Sequence, residues 1–384
     1  MFLEVILKDY FRDSLKFIDF TSENFGIMKN FKKQFPLLEQ YIYLDTAASG
    51  LLPEVVLEFR QDHDLDFLIG GSLFREKRDS LFLKTRKAVG ELLGCAPNRV
   101  ALTPNFSYGF NLLMEGIDRK KKVLLLHNDY PSVNWAVKSR GFEVCYAEIN
   151  EHLEENIAEA VEKEKPHLFA FSLVQYINGI KIDPDFLLKL KREHPQLLLF
   201  ADGTQYCGTE EFDFEASGID VLGASAYKWL NAGYGNGFFL FKEHMKDIIA
   251  PKELELMELQ GKNKPHKGSF IGKFEPGHLD TLNFGSLKVA IDLINQVGMK
   301  EIEARIEELS LQAKEKLAEK GLLEPSVVRR KLHSSIFNIK GDEQLFQKLR
   351  SNKIICSMRG DGLRVSFNYF NSEADIDHLL KNIN

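Results

Sequence analysis

The chain has 384 residues, of which 44% are hydrophobic and 28% are charged, and its formal net charge is −6. This composition is ordinary for a soluble globular protein, and the length allows two domains. The negative net charge disfavours nucleic acid as a partner, because binding to a phosphate backbone needs a basic face. No uninterrupted apolar run approaches the ~20 residues of a membrane span, so a membrane is not expected as a partner either.

The four cysteines are scattered along the chain without a Cys-x-x-Cys pair, which predicts neither a zinc site nor a disulfide framework. We predict no other metal ligands. The N-terminus is apolar but broken by charge, and it lacks the basic lead-in and small-residue cleavage site of a secretory signal. Together these features predict a cytoplasmic protein. The cysteines are Cys95, Cys145, Cys207 and Cys356.

Short apolar runs typical of strands alternate with amphipathic helical patterns from about residue 100 to residue 241. This alternation predicts an α/β fold in which helices cover both faces of a mostly parallel sheet. Ligands bind at the carboxyl ends of the strands in such folds. Polar motifs follow directly after several predicted strands, and their convergence predicts a single active site. These motifs begin at Asp45, Asn105, Asp129, Gln175, Asp202 and Ser225.

One acidic residue and one lysine indicate the chemistry of that site. Asp202 follows the apolar run at residues 197–200, and Lys228 follows a second strand-like run at residues 220–224. A buried lysine amine can condense with an aldehyde, and a carboxylate one strand away can hold the protonated nitrogen of a pyridine ring. The pair therefore predicts a pyridoxal-phosphate site. The alternative is that Asp202 caps a turn and Lys228 is an ordinary surface lysine.

Two further turns allow more than one interpretation. Asn105 and Ser107 follow a predicted strand at the start of a predicted helix, which fits either a phosphate seat or simple N-capping. The small residues at 45–50 fit either a close backbone approach to a ligand or a plain turn. Nucleotide motifs of the Gly-x-Gly-x-x-Gly and P-loop types are absent, and the glycine cluster at residues 233–237 is interpreted as a tight turn.

Four segments resemble, in order and spacing, the class V aminotransferase family of fold-type I pyridoxal-phosphate enzymes. This family includes cysteine desulfurases, selenocysteine lyases, kynureninases and isopenicillin-N-epimerase-like proteins. The resemblance implies a large three-layer cofactor-binding domain at residues 41–285, a smaller α+β domain at residues 286–384, and a helical segment at residues 1–40 packed on the small domain. The segments are Tyr-Leu-Asp-Thr-Ala-Ala at 43–48, Asn-Phe-Ser-Tyr-Gly-Phe-Asn at 105–111, Ala-Asp-Gly-Thr-Gln at 201–205 and Ser-Ala-Tyr-Lys-Trp at 225–229.

The resemblance also implies roles for individual residues, with pyridoxal 5'-phosphate as the cofactor. Lys228 is implied as the Schiff-base lysine, Asp202 as the partner of the pyridine nitrogen, and Gln205 as a hydrogen-bond partner of the ring hydroxyl oxygen. Tyr130 falls at the position of the aromatic ring that stacks on the cofactor, with a loop tyrosine that merely packs as the alternative. The residues at the phosphate-binding positions are Phe106, Ser107, Ser225 and Tyr227.

A homodimer with active sites at the interface is implied as well. In the family, the turn at residues 275–278 reaches across this interface, so His278 is implied as a donor to the other protomer's phosphate, with a solvent-exposed turn histidine as the alternative. Arg364 is implied to bind the carboxylate of a small amino-acid substrate, because a guanidinium makes a bidentate pair with it. An arginine on an edge strand is the alternative. Gln175 is our candidate substrate contact, and whether Gln175 or Tyr176 meets the cofactor stays open.

The connection at residues 359–364 departs from the desulfurase pattern. Cysteine desulfurases place a nucleophilic cysteine upstream of the substrate arginine, whereas this connection contains none, and Cys356 is predicted to lie in the core. We therefore expect a pyridoxal-phosphate-dependent enzyme that works through Lys228, by transamination or a related reaction at Cα. The alternatives are a desulfurase, selenocysteine lyase or other β-elimination lyase, an epimerase, and a catalytically idle binding relative. The sequence assigns no role to Arg75 or Arg359.

Overall fold

The computed structural model describes residues 31–250 and 269–383, except for the side chains of residues 75–78. The predicted N-terminal helical segment therefore lies largely outside the described residues, apart from a short 3-10 helix at Pro36–Glu39. The side chain of Arg75 lies outside them too. Within the two described ranges, no helix combines the length and the apolar character needed to cross a lipid bilayer.

Within the described residues, the chain forms twelve strands and eleven α-helices. In chain order the strands are β1 (Ile42–Tyr43), β2 (Val100–Thr103), β3 (Val123–Leu126), β4 (Val144–Ala147), β5 (Leu168–Ser172), β6 (Leu198–Asp202), β7 (Val221–Ser225), β8 (Gly237–Phe241), β9 (Ile336–Ile339), β10 (Ile354–Ile355), β11 (Ser357–Arg359) and β12 (Gly362–Ser366). The helices are α1 (Glu54–Gly70), α2 (Arg78–Leu93), α3 (Phe106–Glu115), α4 (Pro131–Lys138), α5 (Leu153–Glu164), α6 (Pro184–Glu193), α7 (Thr281–Val297), α8 (Met299–Glu319), α9 (Pro325–Arg329), α10 (Glu343–Ser351) and α11 (Glu373–Ile383).

Seven strands form the central sheet in the order β2-β8-β7-β6-β5-β3-β4. The pairs from β7 to β4 are parallel, whereas β8 runs antiparallel to both of its neighbours, β2 and β7. All strands except β8 therefore point in the same direction, which confirms the predicted mostly parallel sheet. Asp202 at the end of β6 pairs with Gly223 of β7, so the carboxyl ends of these two strands lie side by side.

The central sheet is buried on both faces. Phe169 and Phe171 of β5 belong to one hydrophobic core, and Leu168 and Ala170 belong to a second core. This separation follows from the two-residue period of a strand, which points successive side chains to opposite faces. Every residue of β2, β3 and β5 to β8 is buried, which is why these strands read as continuous apolar runs. The predicted three-layer α/β architecture is confirmed.

The C-terminal part contains a second sheet, which is antiparallel and has the order β11-β12-β9. Helices α8 and α10 contact this sheet, and α11 packs against both helices. The short strand β1 pairs in parallel with β10, with Ile42 opposite Ile354. A strand from the predicted large domain therefore lies beside the C-terminal strands, and the predicted domain boundaries stay predictions.

The turn after β1 connects the second sheet to the central one. The N–H of Ala47 in this turn donates to Oγ of Ser366 on β12 at 3.0 Å. The N–H of Gly50 donates to the carbonyl oxygen of Tyr227 at 2.8 Å. A Cβ atom at Gly50 would lie only 1.9 Å from the carbonyl oxygen of Lys228, so only glycine allows this contact. The small residues of the turn thus allow it to approach the backbone of residues 227–228 closely.

Candidate active site

A cavity of about 420 Å³, which we call the inner cavity, opens at the carboxyl ends of the parallel strands. Strands β5, β6 and β7 end at Ser172, Asp202 and Ser225, and all three residues line it. Parallel strands bring their carboxyl ends to one edge of the sheet, which explains why residues distant in sequence meet there. The lining includes these residues predicted from the sequence: Phe106, Ser107, Tyr130, Asp202, Gln205, Ser225, Tyr227 and Lys228.

Lys228 lies shortly after the end of β7, and it is only 5% exposed. Its Nζ atom is 5.6 Å from the centre of the Tyr130 ring and 5.7 Å from the centre of the Tyr227 ring. The pKa of Lys228 is well below the ordinary value of 10.5, mainly because the amine is buried and to a lesser extent because Arg364 is positively charged. The negative charge of Asp202 acts in the opposite direction. The amine is therefore neutral over a wider pH range than an exposed lysine, and the neutral amine is the form that attacks an aldehyde.

Asp202 is also 5% exposed, and its Oδ1 accepts a hydrogen bond from the backbone N–H of Thr204 at 2.8 Å. Burial raises the pKa of Asp202, while hydrogen bonds from Thr204 and the charge of Lys228 oppose the rise. Thr204 also fixes the neighbouring strand, because its Oγ1 accepts from the N–H of Ser225 at 3.0 Å. Sequence analysis does not single out Thr204, although its place between Asp202 and Gln205 was an available signal.

Both ends of the Gln205 amide are fixed by hydrogen bonds. Its Nε2 donates to the carbonyl oxygen of Ala47 at 2.9 Å, and its Oε1 accepts from Nε1 of Trp229 at 2.8 Å. The amide nitrogen carries two hydrogens, so one remains for a group in the inner cavity. The turn after β1 therefore orients this amide as well as contacting the Lys228 segment.

The N-terminus of α3 faces the inner cavity. Asn105 caps this helix by accepting from the N–H of Tyr108 at 2.8 Å, which confirms the N-capping interpretation. The N–H of Phe106 donates to Oγ of Ser225 at 2.9 Å. The N–H of Ser107 has no acceptor among the described residues. A free N–H group at a helix N-terminus is suited to an anion, so capping and anion binding are compatible at this turn.

Two residues near the predicted phosphate end were missed by sequence analysis. Oγ of Ser132 on α4 lies 2.6 Å from Oγ of Ser107, and two hydroxyls in contact have one hydrogen left for a third group. Tyr234, in the glycine cluster interpreted as a tight turn, lines the inner cavity and stacks on Tyr227 with ring centres 4.6 Å apart. The position of Ser132 beside Tyr130 was an available signal, whereas nothing in the sequence pointed to Tyr234.

Tyr130 is held at the cavity by its neighbour Asp129. The Asp129 carboxylate is 4% exposed and accepts from the N–H of Tyr130 at 2.7 Å and from the N–H of Ser172 at 2.8 Å. These bonds tie the loop after β3 to the end of β5. The Tyr130 ring meets the ring of Tyr176 edge to face, with centres 5.1 Å apart. Asp129 thus fixes the backbone of Tyr130, and Tyr176 packs against its ring.

Arg364 lies on β12 and is 2% exposed. Its Nη1 donates to the carbonyl oxygen of Tyr176 at 2.8 Å, while its Nη2 is 3.4 Å from Oγ of Ser357 and 3.9 Å from Oδ1 of Asp45. The Ser357 hydroxyl donates to Asp45 at 2.7 Å, and burial raises the pKa of Asp45. Nε of Arg364 has no hydrogen-bond partner among the described residues. The guanidinium is thus held in place while part of its donor capacity is unused.

Three predicted residues do not line the inner cavity: Arg364, Gln175 and His278. Arg364 does not line the neighbouring cavity described next either. Gln175 is 5% exposed and lines a neighbouring cavity of about 730 Å³, which we call the outer cavity. Tyr176 lines both cavities, so Tyr176 is the one of these two neighbours that reaches the inner cavity. His278 is exposed and is not part of the lining of either cavity.

Comparison with known proteins gives one family match and several distant relatives. The family model described as Aminotransferase class-V matches residues 42–379. The uncharacterized aminotransferase YcbU of Bacillus subtilis strain 168 is 22% identical over 365 residues, which cover 92% of this chain and 97% of that protein. The apo structure of a cysteine desulfurase from Thermococcus onnurineus NA1 has a TM-score of 0.80 at 18% identity, covering 92% of this chain and 96% of that one. A lysine variant of C-DES with glycine covalently linked to its PLP cofactor has a TM-score of 0.78 at 19% identity, covering 91% and 98%.

The solved structures share the fold with this chain over most of its length. At their low sequence identity this likeness shows the fold alone. The family model carries more weight, because its match spans every residue of the inner cavity as well as both sheets. The chain belongs to the class V aminotransferase family, and it is a pyridoxal-phosphate-dependent enzyme that acts on an amino acid.

Proposed function

We propose that Lys228 carries the pyridoxal phosphate of this enzyme and that Asp202 pairs with the pyridine nitrogen. The observation that carries this proposal is a buried amine and a buried carboxylate that follow two adjacent parallel strands and line one cavity. A buried carboxylate is costly without a cationic partner, and a protonated pyridine nitrogen would be such a partner. When bound, the cofactor supplies an electron sink for the bond broken at Cα.

The donors at the N-terminus of α3 fit the phosphate group. Ser107 offers an N–H without an acceptor and a hydroxyl that it shares with Ser132. Both lie where the helix dipole favours negative charge. The Ser225 hydroxyl accepts from Phe106 and keeps its own hydrogen for the phosphate. Burial raises the pKa of Tyr227 to about 12, so its phenol remains a donor at neutral pH.

Gln205 and Tyr130 fit the ring of the cofactor. The Gln205 amide has one hydrogen left for the ring hydroxyl oxygen, and its hydrogen bonds to Ala47 and Trp229 prevent it from turning away. The Tyr130 ring centre lies 5.6 Å from Nζ of Lys228, so Tyr130 would be the residue that stacks on the cofactor ring. The donor set of the inner cavity thus fits all three parts of the cofactor: the aldehyde, the ring and the phosphate.

Arg364 is our candidate for binding the substrate carboxylate. Its charge contributes to the lowered pKa of Lys228, after the larger effect of burial, so the two side chains lie within electrostatic reach of each other. An amino acid between them would present its amine to Lys228 and its carboxylate to Arg364. Asp45 and Ser357 contact the guanidinium and act as positioning residues. Gln175 stays a predicted substrate contact on the outer side of Tyr176.

We propose transamination, with Lys228 moving the Cα proton, rather than desulfuration. A lysine with a lowered pKa is suited to general base work near neutral pH. Desulfuration needs a reactive thiolate beside the substrate, but all four cysteines are buried and none lines the inner cavity. Burial raises the pKa of the Cys356 thiol to about 12, which leaves little thiolate. The free state of all four cysteines also supports the predicted cytoplasmic location.

We also propose that the chain works as a homodimer. Three large apolar side chains near the end of α1 are highly exposed: Leu68 at 80%, Ile69 at 78% and Leu73 at 71%. Monomeric soluble proteins rarely leave such residues together at the surface. His278 is exposed on a turn that is anchored by a buried ion pair of Glu275 with α2. A fixed, exposed turn is suited to serving the phosphate site of a second protomer.

In the cofactor-free protein, we expect Lys228 to react with acetic anhydride at lower pH than an ordinary lysine. Its lowered pKa means that the amine loses its proton well below pH 10.5, whereas the exposed Lys189 on α6 serves as the internal control. Substitution of Arg364→Gln removes a positive charge and should raise the labelling midpoint of Lys228. Peptide mass spectrometry measures both lysines in each sample. Equal midpoints for Lys228 and Lys189 would contradict the site.

Substitution of Arg364→Gln should weaken substrates that carry an α-carboxylate. The loss of a charge-assisted hydrogen bond corresponds to a rise of about 10- to 100-fold in half-saturating concentration. The measurement is exchange of the Cα hydrogen of alanine for deuterium, with ethylamine as the substrate that lacks the carboxylate. Ethylamine should respond much less than alanine. An equal loss for both would show that Arg364 does not bind the carboxylate.

The same assay separates the candidate reactions. Substitution of Lys228→Ala should abolish exchange, while Lys189→Ala should leave it at the wild-type rate. Transfer of the amino group to a keto acid, with pyruvate formed from alanine, is the expected outcome. Rapid sulfide release from cysteine without such transfer would instead favour a desulfurase or lyase, and exchange with inversion at Cα would favour an epimerase.

Sedimentation equilibrium should give twice the mass of one chain. The double substitution Leu68→Asp and Ile69→Asp should shift the protein to monomers, because two charges would be buried at the proposed interface. Leu311→Asp on α8 is the matched control, since Leu311 is 62% exposed, and it should leave the mass unchanged. A monomeric wild-type protein with full exchange activity would refute the dimer.

A further inference from the structure

The hairpin of β11 and β12 presents a second arginine beside Arg364. Ser357 pairs with Arg364 across this hairpin, and Arg359 pairs with Gly362. Directly paired residues point to the same face of a sheet, and so do residues two apart on one strand. Arg359 therefore projects from the same face as Arg364, on the side of the hairpin nearer its turn.

Arg359 and Arg364 differ in their surroundings. Arg364 is buried and lies near the Asp45 carboxylate. Arg359 is exposed, and its hydrogen bond to the carbonyl oxygen of Met358 is long at 3.5 Å. In the part of the chain that the structure describes, Arg359 forms no ion pair. An exposed arginine without an ion pair is common on protein surfaces, so its position relative to the site decides whether it has a function.

The charge of Arg359 affects the pKa values of groups in and near the inner cavity. Burial is the largest cause of the pKa shifts of Lys228, Tyr176 and Arg364, and the charge of Arg359 contributes to each of them. Tyr176 lines both cavities, and the hairpin turn at Gly360 lines the outer one. Arg359 itself lines neither cavity, but its charge acts on Tyr176, which lies where the two cavities meet.

We propose that Arg359 binds a second carboxylate, so that the preferred substrate is a dicarboxylic α-amino acid. This inference rests on the proposed function, in which Arg364 takes the α-carboxylate. Arg359 and Arg364 are diagonal neighbours on this antiparallel pair. Such residues are about 7–8 Å apart, and somewhat less at Cβ, so the two arginine side chains can hold both carboxylates of one small molecule.

The charges of the outer cavity limit the length of this substrate. Glu148, Glu324 and Asp361 contribute to its lining, against the positive charge of Lys138. A long acidic side chain that extended into the outer cavity would meet like charges. In the proposed complex, a side chain of aspartate or glutamate length would pair with Arg359 instead of entering the outer cavity. The structure therefore favours a short dicarboxylic acid over a long one.

The test compares glutamate with glutamine, which has nearly the same shape without the charge. The pyridoxal-phosphate-loaded protein should exchange the Cα hydrogen of glutamate with a kcat/KM at least about tenfold above that of glutamine. Arg359→Gln should bring this ratio close to one, and Arg359→Lys should give an intermediate ratio. Arg192→Gln removes the same charge from an exposed position on α6 and should leave the ratio unchanged.

A binding measurement checks the same residue without turnover. Titration calorimetry with glutarate and with its half-amide glutaramate should show tighter binding of glutarate to the wild-type protein. This difference should disappear in Arg359→Gln and persist in Arg192→Gln. Thermal unfolding of each variant shows whether the fold is intact.

Several outcomes would overturn the inference. A wild-type protein that treats glutamine and glutamate alike has no second carboxylate site. An equal loss for alanine, glutamine and glutamate in Arg359→Gln would mean that Arg359 holds the α-carboxylate or supports the fold. In both cases exchange of alanine by the wild type leaves the proposed function standing. Failure of every amino acid to exchange would instead refute the proposed function itself.

Discussion

The burial of one amine and one carboxylate in the same cavity is the constraint on which the rest of the site depends. Removal from water disfavours the charged form of each group, so the pKa of Lys228 falls and the pKa of Asp202 rises. The central sheet imposes this arrangement, because β6 and β7 are parallel neighbours and their carboxyl ends therefore lie side by side. Thr204 stabilises the carboxylate without neutralising it. A ligand with an aldehyde and a cationic ring nitrogen would react with the neutral amine and pair with the carboxylate.

The turn after β1 joins this pair to the C-terminal sheet. Ala47 accepts from Gln205 and donates to Ser366 on β12, the strand that also carries Arg364. Gly50 packs against the backbone of Lys228 at a distance that no side chain would allow. Lys228, our candidate cofactor lysine, and Arg364, our candidate carboxylate anchor, therefore share one support, although Lys228 follows a strand of the central sheet and Arg364 lies in the C-terminal sheet. This turn of small residues therefore helps to position both Lys228 and Arg364.

Strand periodicity was sufficient to predict the sheet and the parts of the site that follow its strands directly. Asp202 and Lys228 each come after an apolar run, and the parallel pairing of the two strands brings them to the same edge of the sheet. Thr204 and Ser132 were missed because small hydroxyl residues occur in many turns and their partners lie on other elements. The choice between Gln175 and Tyr176 needed the structure, since neighbouring residues point in different directions. Arg359 could not be identified from the sequence, because its position beside Arg364 depends on the cross-strand register of β11 and β12. A local sequence pattern does not reveal that register.

The most direct test of the account is the covalent attachment of the cofactor. The pyridoxal-phosphate-loaded protein is reduced with borohydride, digested, and analysed by peptide mass spectrometry. We predict that the reduced cofactor is found on the peptide containing Lys228, and that Lys228→Ala carries none. A label on a different lysine, or no label on wild-type protein saturated with cofactor, would contradict the central claim.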